Sequence, residues 1–127
     1  MIEQALRYEL EQRIPELVDN IYPTNAPETA TKPYLVYYRI KTDKIKTFEG
    51  YSGGEALSFM FSCMAEKYGD MKSLRDKAEA FLISMPGTDI GETQDIHVED
   101  VTINNVTEAW ESELKLNRGI IDFTIFV

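Results

Sequence analysis

The sequence predicts an α+β domain: two helices packed on one face of a mostly antiparallel five-stranded sheet, in the order α-β-β-β-α-β-β. Three observations predict it. Residues 2–14 and 71–85 repeat apolar side chains every three or four positions, as amphipathic helices do. Other runs alternate apolar with polar or aromatic residues, the period of a strand. Most prolines and glycines fall between these runs, and the mixed order of helices and strands is that of a two-layer domain. At 127 residues the chain can bury one core, so residues 1–127 are expected to form a single domain.

In chain order, Ile2, Ala5, Leu6, Leu10 and Ile14 share a helical face, with Glu3, Gln4, Arg7, Glu11 and Gln12 between them. Pro15 lacks an N–H and disfavours helix at Ile14, so the helix ends or kinks there and Leu17, Val18 and Ile21 continue as a short turn. Tyr22 to Pro33, with Pro23, Pro27 and Pro33, reads as an ordered loop to the sheet, its prolines limiting the entropy lost on ordering. Tyr34 to Lys41 alternates as a strand, with Tyr34, Val36, Tyr38 and Ile40 on one side and Leu35, Tyr37 and Arg39 on the other. A turn near Thr42 to Lys44 and a short charged strand through Ile45, Thr47 and Glu49 follow, its lysines suiting an edge. "YSGG" at Tyr51 to Gly54 offers a second turn.

Residues 55–67 are open to two readings. Their length suits a helix, but Leu57, Phe59, Phe61, Cys63 and Ala65 alternate with Ser58, Met60, Ser62 and Met64, and a strand is the reading taken. Asp70 offers an N-cap for the second helix, whose apolar face is Met71, Leu74, Ala78, Phe81, Leu82 and Met85 and whose stop is Pro86-Gly87. A polar loop from Gly87 to Asp95 leads to alternating runs at Ile96–Val106 and Leu114–Val127, a closing hairpin connected by Thr107 to Glu113.

Composition narrows the function. With 43% hydrophobic and 28% charged residues and no run of about 18 apolar residues, the chain is expected to be soluble and free of membranes. Its start, "MIEQALRYELEQRI", lacks the basic lead and apolar core of a secretory signal. A formal charge of −9 argues against holding nucleic acid by neutralising phosphates. Cys63 is the only cysteine, so no internal disulfide forms, and its apolar neighbours mark a buried thiol.

No catalytic motif emerges. His97, the only histidine, has no partners at metal-ligand spacing. A dyad of Cys63 and His97 would need a lowered thiol pKa, which apolar surroundings oppose. Glu92, Asp95, Glu99 and Asp100 could offer oxygen ligands to a hard cation but lack the spacing of a dedicated loop, and a solvated acidic face accounts for them. "GYSGGE" has neither the ending nor the context of a phosphate loop. Trp110, expected at the tip of the closing hairpin, is either a hairpin contact or an exposed anchor for a partner. The residues alone describe an acidic α+β binding or structural domain, not an enzyme, with no cofactor or metal.

"IYP" at Ile21–Pro23, "AP" at Ala26-Pro27, "KPYLVYYRI" at Lys32–Ile40, "FEGYSG" at Phe48–Gly53, "MKSLRDKAEAFLISMPG" and the final "RGIIDFTIFV" add a resemblance. In this order, and over nearly the whole chain, they resemble the tail-completion, or tail-terminator and tail-to-head joining, proteins of long-tailed bacteriophages. The resemblance implies a late virion protein made in the host cytoplasm, without activity or cofactor. It would sit as a hexameric ring on the head-proximal end of the tail tube. Its partners would be other copies of itself, the tail tube protein and the head connector or head completion protein, with DNA only passing through the lumen. Asp43, Lys44, Lys46, Glu49, Tyr51 and Trp110 are the candidate contacts to neighbours, and Asp89, Glu92 and Asp95 the candidate lumen-facing acids. Another neck or tail-tube component, or a small metal-dependent enzyme using the Glu92 to Asp100 carboxylates, are the alternatives.

Overall fold

A computed structural model describes residues 2–27 and 29–127, the side chains of Tyr51 and Ser52 excepted. Helix α1 spans Ile2–Arg13 and is followed by a 3₁₀ turn at Pro15–Leu17. Strands β1 (Ile21–Pro23), β2 (Tyr34–Thr47) and β3 (Gly50–Ala65) precede helix α2 (Tyr68–Ser84). The pair β4 (Asp89–Ile90) and β5 (Ile96–His97) comes next, then β6 (Asp100–Glu111) and β7 (Leu116–Phe126). Five strands form one sheet in the order β1-β2-β3-β7-β6, in which only the three-residue β1 runs parallel to its neighbour. The two-residue β4–β5 ladder apart, the order is α-β-β-β-α-β-β, the fold class predicted.

Both helices cover one face of this sheet. From α1 come Ile2, Ala5, Leu6 and Leu10, and from α2 Leu74, Ala78, Phe81 and Leu82; they meet Leu35, Leu57, Phe59, Phe61, Cys63, Ile121, Phe123 and Ile125. These sheet residues are the odd-numbered ones, because successive side chains point to opposite faces. Phe123 is the hub, stacked on Phe59 at 5.7 Å and edge-on to Phe61 at 4.7 Å between ring centroids. Gly119 lies where α2 crosses β7, and a Cβ there would come within 2.7 Å of Met71 Sδ and 3.1 Å of Arg75 Cδ. The alternating reading of residues 55–67 holds for β3, which ends at Ala65.

The individual strands differ from the sequence reading in three places. No turn interrupts Thr42 to Lys44: β2 continues to Thr47, passing irregularities at Arg39/Lys41 and Lys44/Lys46, and Tyr51 to Gly54 lie inside β3 rather than in a turn. The reversal is at Phe48-Glu49, followed by Gly50 at φ +111°. A strand with no face packed on the core has no apolar alternation to betray it, and its course follows its partner's ladder. The head of the proline loop, Tyr22 and Pro23, belongs to β1, where an edge position tolerates a residue without N–H. Finally, β6 begins at Asp100 and runs to Glu111, so most of the expected connection is strand and the turn is residues 112–115, with Lys115 at φ +55°. An edge strand exposes most of its side chains, and that polarity reads as loop.

Helix α2 starts at Tyr68, with Lys67 as its N-cap and no side-chain cap bond. Asp70 is therefore a first-turn residue rather than the cap, where its charge still favours the helix dipole. Among the described residues no helix is long and apolar enough to cross a membrane.

Candidate assembly surfaces

The sheet supplies β3 with β7 as a neighbour only from Ala56 to Ala65. Beyond Ala56, the two arms of the β2–β3 hairpin, residues 44–47 and 50–55, ladder with each other and project from the body as a ribbon. Its root is clamped by reciprocal backbone bonds between Glu55 and Val127, each 3.0 Å. Every β2 residue from Arg39 to Thr47 is exposed, and Phe48, at the tip, is as exposed as a side chain can be.

Of the six candidate contact residues, the ribbon brings together Asp43, Lys44, Lys46, Glu49 and the backbone of Tyr51. Asp43 pairs with Lys41 at 3.2 Å, and Lys44 with Glu55 at 2.6 Å. Lys46 is in register with Tyr51, whose side chain lies outside the described residues. The Glu49 N–H donates to Thr47 Oγ1 at 3.3 Å in the tip turn. These exposed ion pairs contribute little stability, so their side chains can exchange partners cheaply. Trp110 is not at a hairpin tip: it is on β6, opposite Asn117, at the far end of the sheet from the ribbon and on its other edge, 57% exposed. Phe48 was missed as a contact because it was read as part of a charged strand; its place before Glu49-Gly50 was the available signal.

Asp89, Glu92 and Asp95 do share one exposed hairpin, β4–β5 with its connection, which rests on α1. Gly91 makes that approach possible: at φ +99° its N–H donates to Glu9 Oε1 at 3.3 Å, and a Cβ would lie 3.3 Å from Ala5 Cβ. Asp89 Oδ1 bonds His97 Nδ1 at 2.7 Å across the ladder, with Glu99 Oε1 3.9 Å from His97 Nε2. Among the described residues no three His, Cys, Asp or Glu side chains gather to hold a metal ion. Cys63 is fully buried, and burial pushes its thiol up to about 12, against a smaller opposing pull from Arg75. Its thiolate is not accessible at neutral pH, which removes the nucleophile of a Cys63–His97 dyad.

On the sheet face away from the helices, Tyr34, Val36, Met64, Leu116 and Ala30 form a second small cluster. The proline loop arches over it, its course fixed by Thr24 N–H to Tyr37 O at 2.9 Å and Ala30 N–H to Pro27 O at 3.0 Å. Between loop and sheet a cleft of about 370 Å³ is lined by these residues with Ser62, Glu111 and Arg118. Arg118 is already engaged there, donating to Ser62 Oγ at 3.0 Å and Glu111 Oε1 at 3.1 Å. The burial of the Tyr34 hydroxyl raises its pKa, helped by Tyr22 and Tyr38 nearby. A second polar cluster ties α2 to β6, with the Tyr68 hydroxyl donating to Glu108 at 2.9 Å and Arg75 Nη1 3.3 Å from Glu108 Oε2.

No protein-family model matches the chain, and no curated protein matches it in sequence. Among solved structures, it is similar to a chain in the virion of a native gene transfer agent (GTA) particle, with a TM-score of 0.66 and 13% sequence identity. The superposition covers 99% of this chain and 96% of that one. At this identity the likeness establishes a shared fold along the whole length of both chains.

Proposed function

We propose that this chain is a structural protein of a phage-like virion that caps the head-proximal end of the tail tube as a ring, ends tail growth and forms the surface joining the tail to the head connector. The observation that carries the reading is the end-to-end match to a chain of a gene transfer agent virion: neither chain has a substantial part that the other lacks. The resemblance of Ile21–Pro23, Lys32–Ile40 and the closing strand to tail-completion proteins supports the position at the tail end. The ribbon supports it physically. An arm that contributes nothing to the core, ending in a bare phenylalanine, is built to touch something outside its own chain.

In this reading the partners are further copies of the chain, most simply six, with the tail tube protein and the head connector. Asp43, Lys44, Lys46, Glu49 and Phe48 contact neighbours, while Asp89, Glu92 and Asp95 face the lumen, where like charge lets DNA pass without sticking. No catalysis, cofactor or membrane is involved.

The test is electron microscopy of gold-labelled protein mixed with tails that lack their own terminator. Label at one end of each tail, together with recovered joining to heads, is the expected result. Label along the tube would make the chain a tube component instead, and tails left bare would overturn a tail role altogether.

A further inference from the structure

The sheet has two open edges, and they differ. On one side β1 covers β2 at Leu35 to Tyr37, and among the described residues no further strand lies beside the rest of β2 on that edge. On the other, β6 pairs with β7, and among the described residues no strand lies on its far side. An uncovered strand presents unpaired N–H and C=O groups that another strand can take up.

The edges are opposite in charge. Tyr38–Thr47 carries Arg39, Lys41, Lys44 and Lys46 against the single acid Asp43, a net +3. Residues 99–113 hold Glu99, Asp100, Glu108, Glu111 and Glu113 and no base, a net −5. Groups from other elements reduce both fields: Glu3 pairs with Arg39 and Glu55 with Lys44 on one side, Arg75 with Glu108 and Arg118 with Glu111 on the other. With these four neighbours counted the two edges keep opposite signs, +1 and −3. Each edge also shows apolar side chains to solvent, Ile40 and Ile45 on β2 and Trp110 on β6.

Direction matters as much as charge. Strands β2, β3, β7 and β6 alternate, each antiparallel to the next. Two copies set side by side with their sheets facing the same way therefore bring β6 of one against β2 of the next in the antiparallel sense, continuing the sheet without a break.

We infer that copies of this chain associate head to tail through β6 of one and the open edge of β2 of the next. Edge lysines ordinarily discourage strand addition; here they repel a second β2 and select β6, while two β6 edges repel each other. Such a contact is heterologous, so repetition closes a ring when the rotation per copy allows it. The inference deepens the ring reading above and rests on it for that closure.

The test places one cysteine on each edge, Asp43→Cys on β2 and Thr102→Cys on β6, both exposed and both on the sheet face away from the helices, with Cys63 buried and silent. The full chain, alone at rising concentration and seated on tails, is treated with a short bis-maleimide and run on denaturing gels. The double variant is expected to give a ladder of covalent multimers, the mixed single variants dimers only, and each single variant alone none. Reversing Lys41 and Lys46 to Glu should lower the linked yield about tenfold, and adding Asp100→Lys and Glu113→Lys should restore it, as steering by charge requires. Links within either single variant, or none in either setting, would overturn the contact. Labelled tail ends without edge-to-edge links would discard this contact and keep the terminator reading; the ladder in a chain that never binds tails would do the reverse.

Discussion

From Ala56 to Ala65, β3 runs between two strands and beneath two helices, and every residue but Met60 is buried. From Gly50 to Glu55 the same strand has one neighbour, and none of its described side chains is buried. One strand thus serves two purposes. Its inner half carries the stability of the fold, and its outer half projects beyond the body, paired with β2 and bridged to it by Glu55 and Lys44. Substitutions in the two halves should separate folding from assembly.

The largest effect is expected in the inner half. Phe123→Ala empties the hub against which Phe59 and Phe61 pack and should cost roughly 3–5 kcal/mol in a denaturant titration. A loss below about 1 kcal/mol would break the contrast, since the core would then not depend on its hub.

Next comes alkaline stability. The Cys63 thiol has an ordinary pKa of 9.0 in the unfolded chain but titrates only at about 12 in the folded one, so between these pH values the unfolded state has lost a proton that the folded state keeps. Stability is therefore fully present below about 9 and should fall progressively above it, on the order of 1 kcal/mol per pH unit. Buried Tyr34 and partly buried Tyr37, also raised by desolvation, act in the same direction at higher pH. Urea unfolding of Cys63→Ala beside the parent across this range isolates the thiol: the variant should show the shallower decline, and parallel curves would refute it.

A smaller cost, about 1–3 kcal/mol, is expected for Gly119→Ala, because the added methyl meets Met71 and Arg75. Its thermal midpoint should drop while tail binding per folded molecule stays unchanged. Phe48→Ser should do the opposite, changing stability by no more than about 0.5 kcal/mol while reducing tail-end labelling. A large thermal shift in Phe48→Ser would show that the tip packs somewhere and end the contrast.

The same division explains what the sequence revealed. Wherever one face of an element is buried, the pattern was legible: both helices, β3 from Leu57 to Ala65, and β7, whose buried Ile121, Phe123 and Ile125 alternate. The ribbon and β6 were read only in part: Ile45 to Glu49 was read as a strand but its continuity with Tyr34–Lys41 was not, and β6 was read only as far as Val106, where its partly buried Val101, Ile103 and Val106 end. β1 was hidden for a related reason: three residues ending in proline carry no period at all, and only their register with Leu35–Tyr37 makes them a strand. The candidate contacts fared likewise. Charged residues of the ribbon could be named from composition, but Trp110 was placed at a tip it does not occupy, because the end of β6 was misjudged. The opposed edges of the sheet could not be found at all without the strand order.

The reciprocal Glu55–Val127 bonds have a mechanical consequence. They set a fulcrum, and from it the arm reaches to Phe48 over a length of about 20 Å, at roughly 3.3 Å per residue. The ladder is interrupted between Lys44 and Lys46, just outside that fulcrum, so a sideways load on the tip is taken up there as bending. The clamped root and the aromatic hub beyond it are spared the torque. In the tail-end reading proposed above, the arm is the part that yields when the surface it meets is not perfectly placed.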